Sequence, residues 1–144
     1  MSKHQVPLQI IGRRERITLP DLGNVHVEAK IDTGAFRTAI HCESCREVQV
    51  DGLTQLEAVF NLDGNGNRTF HFANYTQREV KNSFGQSEVR YSVKIKIKIG
   101  GRDIRSDVTL TDRSEMKYQV LIGRKTLLKK FLVDVNQVHL LGHH

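Results

Sequence analysis

No apolar run in this sequence approaches eighteen residues, so a membrane-spanning helix is not expected. The N-terminus joins no basic region to an apolar run and a small-residue cleavage site. No signal peptide is therefore expected, and the default compartment is the cytoplasm. Cysteine is scarce: Cys42 and Cys45 are the full complement, too few for a disulfide framework and consistent with a reducing compartment. Aromatic residues are few (Phe 6, Tyr 3, Trp 0), and none interleaves with the lysines as a stacking platform for nucleic acid. No repeat, low-complexity tract or linker divides the 144 residues, so one domain is expected. The last residues, Gly142-His143-His144, read as the remnant of a purification tag and are set aside.

A sustained helical stripe is also missing, and two-residue alternation takes its place. "NVHVEAKID" puts Val25, Val27, Ala29 and Ile31 on one face and His26, Glu28 and Lys30 on the other. "YSVKIKIKIG" does the same with Val93, Ile95, Ile97 and Ile99 against Lys94, Lys96 and Lys98. Further candidate strands are "LQII", "RITL", "LEAVFNL", "RTFHFA", "DIRSDVTL", "YQVLI" and "FLVDV", enough for a small all-β barrel or sandwich. Turn signals fall at Pro20-Asp21-Leu22-Gly23, Asp51-Gly52, Asp63 to Asn67 and Gly100-Gly101. "GRKTLLKKF" fits one or two helical turns beneath a sheet, and the polar stretch from Tyr75 to Gly85 reads as a mobile loop. The formal charge of +6 and a pI near 9.5 bear on encounter with anionic partners rather than on chemistry. Three lysines on one strand face read first as a solvated face or a protected edge, and a nucleic-acid role rests on charge alone.

The chemistry is concentrated in "AKIDTGAFRTAIH", where an alternating strand stops at Asp32-Thr33-Gly34. A single exposed carboxylate is a weak base with no acid beside it. Two carboxylates within a few ångströms share one proton and serve as acid and base together, holding a water that can attack a peptide carbonyl. Such a site calls for an aspartate at a strand end, a hydroxyl to orient the turn, and a glycine that lets backbone N–H groups approach the carboxylate. Asp32, Thr33 and Gly34 supply these in order. Because these residues are also ordinary turn formers, the tripeptide gains specificity from a second feature: "YQVLIGRKTLLKKF", an apolar strand, Gly123, and a short helix.

With both motifs present, the sequence resembles the retropepsin-like aspartic peptidases. In that family a strand ending in Asp-Thr-Gly-Ala is followed late in the chain by two aliphatic residues, Gly-Arg and a leucine-containing helix. The corresponding residues are Asp32 to Ala35 and Leu121-Ile122-Gly123-Arg124, with Leu127 and Leu128 in the helix. The resemblance is closest to a bacterial and archaeal branch called ATP-dependent zinc proteases, often encoded near ATP-grasp ligases that glutamylate proteins. It rests on Pro20 to Gly23, Ala29 to Ala35, Thr111-Asp112-Arg113, Met116, Tyr118, Val120-Leu121, Gly123-Arg124 and Val133-Asp134. Two departures stand out. Viral retropepsins pair the glycine-linked arginine with an acidic residue soon after the triplet; here Phe36 and Arg37 follow Ala35, leaving Asp112 or Asp134 as the expected partner of Arg124. The branch also has a small hydroxyl residue where Ala39 stands.

The residues do not match the branch's name. No glycine-rich loop ends in Gly-Lys-Ser/Thr, so any ATP requirement belongs to a partner. "HCESC" offers His41, Cys42 and Cys45, but no second Cys or His pair completes a zinc site and no His-Glu-x-x-His motif is present. Free thiols are expected, with no cofactor. The resemblance therefore implies an all-β closed barrel with one short C-terminal helix, acting as a peptidase on peptide or protein substrates. Asp32, Thr33 and Gly34 form its catalytic loop, and Ala35, Gly64, Gly66 and Arg124 are the candidate substrate-binding residues. A single Asp-Thr-Gly per chain implies a homodimer with the site on its two-fold axis. The glycine-rich turn Asp63 to Asn67 is the candidate flap. The alternative is a non-catalytic module of the same fold that binds a peptide or an ATP-grasp ligase partner.

Overall fold

The computed structural model describes residues 7–81 and 83–141; the expected tag remnant lies outside the described residues. Among the described residues twelve strands and one α-helical turn follow in order: β1 (Gln9–Ile11), β2 (Arg14–Leu19), β3 (Val25–Ile31), β4 (Thr38–His41), β5 (Ser44–Val50), β6 (Leu53–Phe60), β7 (Arg68–Phe72), β8 (Thr76–Lys81), β9 (Ser87–Ile99), β10 (Arg102–Thr111), β11 (Val120–Ile122), α1 (Arg124–Leu127) and β12 (Phe131–Val133). A short 3₁₀ turn, Pro20–Leu22, precedes Gly23, whose φ of 80° takes the chain into β3.

Strands pair in the order β10-β4-β11-β3-β2-β9, and β9 returns to β10 along an antiparallel ladder, closing a six-stranded barrel. Two of its pairings, β3 with β11 and β4 with β10, are parallel. The alternation read from the sequence explains the closure. Ala29, Ile31, Val93, Ile95, Ile97 and Ile99 are buried, and facing strands add Ile17, Ile40, Val108, Val120 and Ile122. Burying each aliphatic side chain contributes roughly 1.5–3 kcal/mol, and a one-residue slip of β9 would turn its lysines inward, so the register is strongly set. Lys94, Lys96 and Lys98 lie on the solvated face of β9; all three pair with β10, Lys98 also faces Thr18 of β2, and on that second side the Lys96 N–H donates to Asp21 Oδ2 at 2.8 Å.

Outside the barrel, β5, β6 and β7 form a three-stranded sheet, and β1 pairs in parallel with β12. The stretch expected as a mobile loop after Tyr75 instead contains β8, which pairs with β9 from Thr76↔Ser92 to Lys81↔Ser87. The terminal segments are tied down by Glu15, fully buried in β2. Its carboxylate accepts N–H groups from Gly12 (2.7 Å), Leu140 (2.9 Å) and Leu141 (3.3 Å). Gly12 must be glycine, since a Cβ there would meet Gln137 O at 2.3 Å. No helix among the described residues is long and apolar enough to cross a membrane.

Candidate active site

The position of Asp32 follows from the β3–β11 ladder. Pairing runs Val120↔Ala29 to Ile122↔Ile31, and the next bond in line is Asp32 N–H to Ile122 O at 2.9 Å. Asp32 is thus fixed at the barrel mouth as β3 ends. The chain then turns back on itself: Gly34 N–H donates to Asp32 Oδ1 at 2.9 Å and Ala35 N–H to Asp32 O at 3.2 Å. At Gly34 a Cβ would stand 3.2 Å from Asp32 Oδ1, so glycine leaves the carboxylate uncrowded. Asp32 is half-buried, and Thr33 and Gly34 are exposed.

The second motif forms the floor of this loop. Arg124 N–H donates to Ala35 O (2.8 Å) and Lys125 N–H to Phe36 O (2.9 Å), so the start of α1 ladders against the loop after Asp32. Gly123 lies so close that a Cβ would be 2.4 Å from Arg37 O, a backbone atom that cannot move away cheaply. A chain of buried hydroxyls locks the contact: Gly123 N–H donates to Thr38 Oγ1 (3.1 Å), Thr38 and Thr126 share a hydrogen bond (2.7 Å), and Thr126 donates to Ser106 Oγ (3.2 Å). The hydroxyl sought at Ala39 is therefore present one residue earlier, at Thr38. α1 is a single turn that buries Thr126 and Leu127 and leaves Leu128 exposed.

Arg124 pairs with neither expected aspartate. Its guanidinium donates to Thr33 O at 3.0 Å and lies 5.6 Å from the ring centroid of Phe36. The aromatic face takes the place of the acid found in viral retropepsins. Asp112 is engaged by Ser114, whose N–H (3.0 Å) and hydroxyl (2.6 Å) hold its carboxyl below the usual carboxylate range. Asp134 accepts the N–H of Asn136 at 3.0 Å.

The loop leads into a groove of 380 Å³ that the sequence did not reveal. Arg37, Thr38 and Ala39 form one side; Arg78 of β8 and its direct partner Arg90 of β9 form another; Thr109, Thr111, Asp112, Arg113 and Met116 complete it. Four arginines line a space that opens beside the Asp32 loop. A sequence signal for it existed only in the even spacing of Arg78 and Arg90 about the hairpin.

The structure does not bring Gly64 and Gly66 to Asp32. Their turn, with φ of 77° and 110°, is closed by Asp63 and Asn61 side chains. Arg68 then ties it back, pairing with Asp63 (3.3 Å) and donating to Gly23 O (3.4 Å). Gly23 precedes β3 whereas Asp32 follows it, and seven strand residues span about 20 Å. The glycine turn thus attaches near the far end of β3, while β8 and β9 wall the groove. The zinc implied by the branch name fits poorly as well. His41 Nδ1 accepts the Arg113 N–H at 2.8 Å, and no group of three potential ligands is assembled among the described residues.

A closed barrel whose Asp-Thr-Gly loop rests on a Gly-Arg turn and a single helical turn is a retropepsin-like fold. The chain belongs to the RimB-like family: the family model described as "Retropepsin-like aspartic endopeptidase RimB" matches residues 10–142. It is 31% identical over 136 residues to a Shewanella pealeana protein named "Probable alpha-L-glutamate ligase", covering 92% of this chain and 30% of that one. A Parasynechococcus marenigrum protein of the same name is 29% identical, with 92% and 29% covered. The chain thus spans about 30% of the length of these curated relatives. A Legionella pneumophila crystal structure, titled as a protein of unknown function, shares the fold with a TM-score of 0.75 and 28% identity, covering 92% of this chain and 97% of that one.

Proposed function

We propose that the chain is an aspartic peptidase whose active unit is a two-fold homodimer, each copy contributing one Asp32. The observation that carries this reading is the Asp32 carboxylate, set at the barrel mouth and accepting the Gly34 N–H, with a single Asp-Thr-Gly in the chain to supply it. In the pair, one carboxylate is ionised and the other protonated. The ionised one takes a proton from the water that attacks the scissile carbonyl, and the protonated one donates to the carbonyl oxygen. Collapse of the tetrahedral species transfers a proton to the amine nitrogen as the C–N bond breaks. Ile10 and Leu132, register partners in β1 and β12, are both exposed, as is Val135, and this apolar surface suits a second copy.

The substrate in this reading is an acidic chain carrying added glutamates. Two features support it: relatives named for glutamate ligation, and a groove lined by Arg37, Arg78, Arg90 and Arg113, whose guanidinium forks suit carboxylates. An ATP-grasp ligase is the natural functional partner, and ATP is used there. A second reading, a binding module that holds the glutamylated chain without cutting it, is favoured by the naming of these relatives for ligation rather than hydrolysis. Digestion of a glutamate-extended peptide beside its glutamine-extended analogue tests the choice. Peptidase action requires cleavage of the first, much less of the second, and none by Asp32→Asn; tight binding without cleavage by wild-type protein supports the module.

A further inference from the structure

The function proposed above makes no use of Cys42 and Cys45. They are spaced Cys-x-x-Cys where the chain leaves the barrel: Cys42 follows β4, and Cys45 is the second residue of β5 in the side sheet. Both are free, Cys42 buried and Cys45 half-buried. Two backbone bonds fix the crossing, Cys42 N–H to Thr111 O at 2.9 Å and Glu43 N–H to Val59 O at 2.7 Å. Both cysteines line one cavity of 340 Å³ with Ser44, Tyr91 and Leu110, and this cavity shares Arg90, Thr111 and Asp112 with the arginine groove. Buried cysteines are usually inert because nothing reaches them. Here a cavity gives access to both thiols, which line the same wall three residues apart.

From this geometry we infer that Cys42 and Cys45 form a thiol–disulfide exchange site, with Cys42 as the attacking sulfur and Cys45 as the resolving one, open to a small disulfide of the glutathione class. The neighbouring Cys45 thiol draws Cys42 below the ordinary thiol range, against burial and the nearby Asp112 and Glu43 carboxylates. The same proximity, with burial, pushes Cys45 up. The pair is therefore asymmetric in the sense that exchange chemistry requires. In the first step the Cys42 thiolate attacks one sulfur of oxidised glutathione, forming a mixed disulfide and expelling one glutathione thiolate. In the second, Cys45 loses its proton to solvent and attacks the Cys42 sulfur, expelling the second thiolate. The cysteines are oxidised by two electrons, and one glutathione disulfide is reduced to two thiols. Closure covalently joins the end of β4 to β5, at the shared wall with Arg90.

The site is independent of the peptidase reading, because mass alone detects it. Trypsin releases residues 38–46, which contain both cysteines. The folded full-length chain is incubated with oxidised glutathione, quenched in acid and digested. Wild type is expected to lose two hydrogens in this fragment and retain no glutathionyl group. Cys45→Ser is expected to stop at one glutathionyl group on Cys42, and Cys42→Ser to react at Cys45 about tenfold or more slowly. A Cys45→Ala chain, checked for an unchanged melting transition, gives the same readout if serine disturbs β5. Equal rates at the two cysteines, stable glutathionylation of wild type, or no reaction in any chain would overturn the inference.

Discussion

Thr38 Oγ1 accepts the backbone N–H of Gly123 at 3.1 Å, joining the segment after the Asp32 loop to the turn that supports it. The two residues are far apart in sequence, so this bond and the hydroxyl chain behind it hold the two family motifs as one unit. Thr38→Val keeps the shape and leaves a buried N–H unsatisfied, a loss of about 1–3 kcal/mol. Thr38→Ser should recover most of it. Denaturant midpoints of the three proteins check this, and an unchanged midpoint in Thr38→Val would detach Thr38 from the floor of the site.

Gly123→Ala should be costly for a different reason. Its backbone conformation is ordinary, with φ of −89°, yet the added Cβ would strike the backbone of Arg37 and Phe36. Overpacking of this kind costs about 1–3 kcal/mol. Because Arg37 also lines the groove, peptide handling should fall along with the melting temperature.

Asp107 accepts Lys125 Nζ at 2.6 Å, which holds its carboxyl below the usual range, with Lys94 and Arg37 adding to the effect. A depressed folded-state value means that the contribution is complete above the unfolded value of about 3.9 and is lost as pH falls through the folded value. Both groups are partly exposed, so the contribution is under about 1 kcal/mol. Urea midpoints of wild type and Asp107→Asn should differ at neutral pH and converge in strong acid; a constant gap would place the effect in packing.

Much of the barrel was legible because β3 and β9 bury one face and solvate the other, which is what a period-two pattern records. β5 and β8 were not legible, since both are mostly exposed on both faces and lack the buried stripe that marks a strand. The turn at Asp32 could be read because its hydrogen bonds, Gly34 N–H to Asp32 Oδ1 and Ala35 N–H to Asp32 O, are local. The partner of Arg124 could not, because a carbonyl and an aromatic face replace the acid that a charge pattern would suggest. Local turn chemistry likewise found the Asp63 to Asn67 hairpin tip without revealing which end of β3 it joins. Glu15 carried no signal in the sequence; only the fold brings the N–H groups of Gly12, Leu140 and Leu141 around it.

That carboxylate gives a further test. Glu15→Gln replaces one acceptor oxygen by an NH₂ group facing a backbone donor, and should destabilise by about 1–3 kcal/mol. Hydrogen exchange at Leu140 and Leu141 should accelerate most, and unchanged protection there would place the clamp elsewhere.

Charge in the groove should appear in the salt dependence of binding. Arg78→Gln with Arg90→Gln removes two of its four arginines without touching the Asp32 loop. Affinity for a glutamate-extended peptide should drop about tenfold or more at low salt and less at high salt, since screening weakens the wild-type contacts. Equal loss for a neutral peptide would show that the substitutions disturbed the hairpin and not charge recognition.

The central claim is that two Asp32 carboxylates act together. Its most direct test is the specific hydrolysis rate of an acidic peptide by wild type and Asp32→Asn over a dilution series spanning dimer dissociation, repeated across pH. The wild-type rate per chain should fall as the dimer dissociates and follow a bell-shaped pH profile belonging to the pair, and a folded Asp32→Asn chain should show no hydrolysis. Hydrolysis by Asp32→Asn equal to wild type, or a wild-type rate per chain that is constant in a monomer, would contradict it.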